Sequence, residues 1–203
     1  LQGGGDQWHG GDGPLAVSKA SDPNPIYKAT IEAGRQAGHL VTKDFNGFQQ
    51  EGWGPYQLTI KDGERWSAAR GYLHPVLKRS NLTCLTGART TRIVVENGRA
   101  TGVEFIDDKD VKQVVQADRE VLLCAGAVQS PHILQLSGIG DPEELTKHGV
   151  PVVHALKGVG ANLQDHLDVT LSWECPLPIT VFSARKGIKT ALIGLNYLLF
   201  KKG

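Results

Sequence analysis

The residues of this chain with the chemistry to act on a substrate are seven histidines, three cysteines and scattered Ser, Asp and Glu. His9, His39, His74, His132, His148, His154 and His166 show neither HxxxH nor HExxH spacing, so no zinc-type ligand pair shares a helix face. Cys84, Cys124 and Cys175 contain no CxxC pair, which argues against a structural zinc site and a disulfide framework and fits a reducing compartment. Ser130 lies in VQSPH rather than GxSxG, so a hydrolase nucleophile elbow has no support; with Pro131 behind it, Ser130 reads as a helix cap. Asp165-His166 is the one acid–histidine neighbour pair. Adjacent residues on extended backbone point to opposite sides, so a structural role outweighs a catalytic one. Glu143-Glu144 and Asp107-Asp108 read as a helix start and a hairpin turn rather than as an acid–base pair.

Glycine-rich loops are the next candidates. Gly11-Asp12-Gly13-Pro14-Leu15-Ala16 matches GxGxxA, but no strand precedes it and Pro14 follows the second glycine. Gly158-Val159-Gly160-Ala161-Asn162-Leu163 has Leu where a third small residue belongs and reads as a tight turn. No GxxxxGK[ST] is present. The segment with most content is Ala125-Gly126-Ala127, at the carboxyl end of the apolar run Val121-Leu122-Leu123-Cys124-Ala125. Ligands of open α/β sheets collect at such strand ends and helix N-termini, and small residues let a flat or phosphorylated ligand approach the backbone. Close strand–helix packing explains the same residues, and the pattern alone leaves both open.

The elements that would position these residues are legible in part. Asn24-Pro25 starts a helix with Ile26, Ala29, Ala33 and Ala37 on one face and Gly38 as its stop. Short strands are expected at Leu15–Ser18 and Tyr56–Ile60, and a helix from Ser67 that Pro75 ends or kinks. Asn97-Gly98 is a hairpin turn between Ile93–Glu96 and Ala100–Ile106, and a strand near Val111–Gln116 completes an antiparallel meander. The run 121–125 reads as a strand buried on both faces, followed by a helix that Ser130 caps and Pro131 begins. Asp141-Pro142-Glu143-Glu144 starts another helix, which Gly149 ends. Strands are expected at Val150–His154 and Leu167–Glu174, and an amphipathic helix along Ile188, Leu192, Leu195 and Leu199.

With 22 basic and 21 acidic residues the net charge is +1, which removes the main argument for a nucleic-acid partner, since such a partner needs a basic stripe. At 203 residues the chain has room for one large domain or parts of two. Leu at the first position and no Met anywhere suggest a processed chain or a piece of a longer one.

One stretch stands out: GAVQSPHILQLSGIG, Gly126 to Gly140. It resembles the second signature of the glucose–methanol–choline (GMC) oxidoreductase family through Ser130-Pro131, Ile133-Leu134 and Ser137-Gly138-Ile139-Gly140. HGGDGP at 9–14, NGFQQEGWGP at 46–55, SAARGYL at 67–73, NLTCLTGA at 81–88 and GVGANLQDHL at 158–167 agree in order, and HGGDGP and QQEGWGP are similar to the choline-dehydrogenase-like branch. The resemblance implies a mixed α/β chain: part of an FAD-binding, Rossmann-like lobe with an antiparallel meander over residues 67–166, and part of a substrate lobe with mixed or antiparallel sheet over residues 1–66 and 167–203. It implies FAD as cofactor, choline or a primary alcohol as substrate, and backbone contacts to the cofactor near Thr90, Ala125, Gly126 and Ala127. The electron acceptor stays undefined. The family's GxGxxG loop and its catalytic His segment are absent from these 203 residues, so no catalytic residue is assigned and the chain by itself is expected to be inactive. A noncatalytic flavin-binding or interaction module is the alternative. A cytoplasmic location fits the cysteines, with peripheral membrane contact through the 188–200 helix as the lesser option to core packing.

Overall fold

Residues 3–19, 24–180, 182 and 187–201 are described in the computed structural model, and the chain divides into two units: Leu1–Thr83 with Leu171–Gly203, and Cys84–Thr170. Both mix helix with small, mostly antiparallel sheets.

In the first unit, β1 (Ser18–Lys19) pairs antiparallel with β2 (Gln57–Leu58), and β3 (Ile60–Lys61) with β4 (Glu64–Arg65). The expected strand at 15–18 is therefore reduced to a two-residue ladder, and that at 56–60 is divided at Thr59. Helix α1 (Pro25–Gln36) begins as its sequence dictates: Asn24 accepts a hydrogen bond from the Ile26 amide at 3.0 Å, and Gly38, at φ 86°, turns the chain out of it. Gly34 is the buried residue of α1 because the indole of Trp53 lies against it; a Cβ there would stand 2.5 Å from Cδ2. The segment after Ser67 departs from a regular helix. Ser67 does accept from the Arg70 amide, but Ala69–Leu73 forms a π-turn that passes into a 3₁₀ turn at His74–Val76, where Pro75 is accommodated. The expected strand at 167–174, whose first four residues belong to the second unit, is absent, with Leu167 96% and Trp173 79% exposed.

In the second unit, β5 (Arg89–Glu96), β6 (Arg99–Ile106) and β7 (Lys112–Gln116) form the meander in that order. Asn97 and Gly98 both have positive φ, 50° and 76°, as the two-residue turn that matches strand twist requires. Helix α2 (Gly126–Leu136) packs on β5, and Ile93, Phe105 and Ile133 are buried, as is Leu145 on the next helix.

Two expectations fail in this unit. Val121–Ala125 forms no strand: no described segment pairs with it in a ladder, and Leu122 is 76% exposed. A run of this kind becomes a strand only with ladder partners beside it. Helix α2 also starts at Gly126, so Pro131 lies inside it and returns no N–H to the Ala127 carbonyl, while the Ser130 hydroxyl accepts from the Ala125 amide at 3.1 Å. Beyond α2, β8 (Ile139–Gly140) pairs parallel with β9 (His154–Ala155), which shortens the strand expected at 150–154. Between them, α3 (Pro142–Lys147) is capped by Asp141, which accepts from the Glu143 amide at 2.9 Å; Gly149, at φ 69°, ends it. Helix α4 (Ile188–Phe200), in the first unit, forms as expected but buries no residue.

Candidate functional site

The turn at Ala125-Gly126-Ala127 is the start of α2, and all three residues are exposed. Gly126 has φ 86° and nothing lies within 4 Å of where its Cβ would stand. A side chain would occupy this free space, so the turn leaves the first amides of an eleven-residue helix open to an incoming group. An anionic or flat ligand can reach the backbone here without displacing a protein atom.

The other end of α2 is held by the SGIG segment, which does three things. The Ser137 hydroxyl is buried; it accepts from the Ile93 amide at 2.8 Å and donates to the Ile133 carbonyl at 2.6 Å. Gly138, at φ 80°, brings the backbone against the Pro151 carbonyl and Val153, leaving no room for a Cβ, and its own carbonyl accepts from the amides of Val153 and His154 at 2.8 and 3.1 Å. Ile139-Gly140 then supplies β8.

A cavity of about 360 Å³ opens along the exposed side of α2, lined by Ala127, Pro131, His132 and Gln135 from the helix and by Gly160 and Leu163 from the loop after β9. Gln135 holds that loop by donating to the Val159 carbonyl at 3.3 Å, and the Gln135 amide lies close over Gly160, whose φ of 79° favours glycine. Of the residues expected to meet a cofactor, Ala127 thus lines a cavity, and Ala125 and Gly126 flank it in sequence. Thr90 stands on β5 opposite Phe105, just before a bulge.

Next to it, Thr91 donates to the Glu104 carboxylate at 2.8 Å. The Thr91 hydroxyl, with the Lys112 and Arg92 cations at 3.3 and 3.2 Å, holds this buried carboxyl below its usual range despite burial. Sequence reasoning did not single out Glu104. Its signal is a lone acid in the strand ATGVEFI with a cation at its cross-strand position, Arg92.

The histidines perform structural work where the geometry is clear. His9 is 10% exposed between two carboxylates: Nδ1 lies 2.8 Å from Asp6 Oδ1, and Nε2 lies 3.1 Å from Asp44 Oδ2 at an angle too bent for a hydrogen bond. The Trp8 amide and His9 hold the Asp6 carboxyl below its usual range. Asp165 accepts from the backbone amide of His166, not from its ring. Among the described residues no three His, Cys, Asp or Glu side chains converge as metal ligands. Gly11 and Gly13 line a second cavity, of about 340 Å³, with Lys61 and Asp62, in a loop that no strand precedes.

The meander, the helix started by a small-residue turn and the SGIG anchor define a family. Residues 6–168 match the model of the GMC oxidoreductases, and the chain belongs to that family. It is 46% identical over 195 residues to the mitochondrial choline dehydrogenase of Mus musculus, covering 96% of this chain and 33% of that protein. It is 48% identical over 200 residues to the oxygen-dependent choline dehydrogenase 1 of Chromohalobacter salexigens, covering 98% of this chain and 36% of that protein. The structure resembles an FAD-dependent oxidoreductase from Chaetomium thermophilum with a TM-score of 0.85 at 28% identity, over 96% of this chain and 34% of that one. The chain spans about a third of the length of the curated relatives it matches.

Proposed function

We propose that this chain is a segment of an FAD-dependent alcohol oxidoreductase that acts on choline or a related primary alcohol. Residues 67–166 belong in this reading to the FAD-binding lobe, and residues 1–66 and 167–203 to the substrate lobe. The observation that carries it is the turn at Gly126: small residues, positive φ and open space above a helix start, inside the stretch that resembles the family signature. The backbone of Ala125, Gly126 and Ala127 binds the cofactor from one side, and Thr90 from β5. FAD, when bound, accepts the hydride that leaves the alcohol carbon. The role of this chain is to bind and orient: the α2 amides face negative charge, and Ala127, Pro131, His132, Gln135 and Leu163 line the cavity beside them. The base that takes the hydroxyl proton is not among these residues.

A cytoplasmic location, which three cysteines without a CxxC pair fit, belongs to the same proposal, with peripheral membrane contact through α4 as the lesser option. Among the described residues no helix is long and apolar enough to cross a membrane. The deciding experiment replaces the matched 200 residues of the Chromohalobacter enzyme with this chain. The expected chimera carries flavin and oxidises choline, and Gly126→Val empties it of flavin. A folded chimera without flavin overturns the proposal, as does a flavin load indifferent to Gly126→Val. The 203-residue chain alone is expected to reduce no dye with choline or a primary alcohol; flavin-dependent reduction by it would show that the base is present after all.

A further inference from the structure

The proposed cofactor turn has no hydrogen bond of its own to the sheet. Among the described residues, the Ser130–Ala125 bond closes within the first turns of α2, and no hydrogen bond runs from residues 125–129 to the meander. The fixed point is at the opposite end. Ile93 lies on β5, an outer strand of the sheet, and its amide faces away from β6. Left without an acceptor, that buried amide would carry a desolvation cost. The Ser137 hydroxyl supplies the acceptor at 2.8 Å, and its one proton is committed to the Ile133 carbonyl at 2.6 Å, so the direction of its lone pairs is set. Gly138 pins the next peptide against Pro151 and Val153.

We infer that Ser137 is the positioning residue of the cofactor site, acting through α2 as a lever. This rests on the proposed FAD contact at Ala125–Ala127. From Ser137 to Ala127 the helix rises about 15 Å, so a tilt of roughly 4° at the serine displaces the turn by about 1 Å. Displacements of that size are enough to weaken a preorganised site severely. Alanine at 137 removes the acceptor for Ile93 and the tie to Ile133 together. Threonine retains the hydroxyl and can make the same bond to the carbonyl four residues back.

Hydrogen exchange on the full 203-residue chain tests this, peptide by peptide, with and without FAD. Ser137→Ala is expected to speed exchange at the hydrogen-bonded amides of Gln129 and Ser130 by at least about tenfold, as well as at Ile93, while residues 101–116 of the meander keep their protection. Ser137→Thr is expected to restore both segments, which a general loss of packing would not produce. If Ser137→Ala loses the whole sheet, Ser137→Cys, with a weaker acceptor, is expected to show the same pattern in smaller measure. Unchanged exchange at Gln129 and Ser130 in Ser137→Ala overturns the inference, as does an Ile93 amide unprotected in the wild-type chain. The FAD arm is separate: added FAD is expected to slow exchange at 125–127 in the wild-type chain. If it does not, the proposed cofactor contact falls, whatever Ser137 does to α2.

Discussion

Thr91 and Glu104, on neighbouring strands of the meander, meet hydroxyl to carboxylate at 2.8 Å, and this contact does most to hold the acid below its ordinary value near 4.5. A carboxyl whose folded pKa is depressed adds stability above its unfolded value and loses it as pH falls through the folded one. The second unit is therefore expected to lose thermal stability below about pH 4.5. Glu104→Gln should lower the melting temperature at pH 7, because Arg92 and Lys112 lose their shared anion, and the gap to wild type should close as pH falls. Melting curves across that range check it; a gap that persists into acid would show that the charge is not the source.

Gly138 and Gly126 have nearly the same positive φ, 80° and 86°, but opposite surroundings. Both alanine variants incur the left-handed penalty of about 1–2 kcal/mol. Only Gly138→Ala also drives a Cβ into the Pro151 carbonyl and Val153, so it should destabilise the second unit by clearly more than Gly126→Ala does. Denaturant midpoints of the two variants give the comparison directly; equal losses would count against the close contact.

At Gly34 the sign of a substitution is set by its neighbour. Alanine in a helix interior is ordinarily worth up to about 1 kcal/mol over glycine. Here the new Cβ meets the Trp53 ring, and overpacking of that kind costs about 1–3 kcal/mol. Gly34→Ala should therefore destabilise wild type and stabilise a Trp53→Leu background, a reversal that a double-mutant cycle by thermal melting would reveal.

Asp141 caps α3 through the Glu143 amide. Asp141→Ala should cost about 1 kcal/mol, and Asp141→Asn, which keeps the acceptor, only a small part of that. Thermal melts of the two variants separate the hydrogen bond from the charge.

Local chemistry made several elements readable from the amino acids alone. Asn24-Pro25, Asp141-Pro142 and Asn97-Gly98 determine their helix starts and hairpin turn because a side-chain acceptor, a ring-locked φ or a tolerated positive φ acts within three or four residues. The GAVQSPHILQLSGIG stretch likewise marks the family by residue type and spacing alone. What spacing could not supply is partnership. Val121–Ala125 has the composition of a buried strand yet forms none, because a strand exists only through its neighbours. Pro131 read as a first helical residue, but the Ser130 bond to the Ala125 amide and the positive φ of Gly126 accompany a start five residues earlier. Glu104 and Ser137 gain their roles from residues 13 and 44 positions away, Thr91 and Ile93. The sequence determined where the chain turns and which family it joins; the tertiary structure decided which hydroxyl, carboxylate and glycine hold the candidate site, because burial and long-range pairing arise only when distant segments come together.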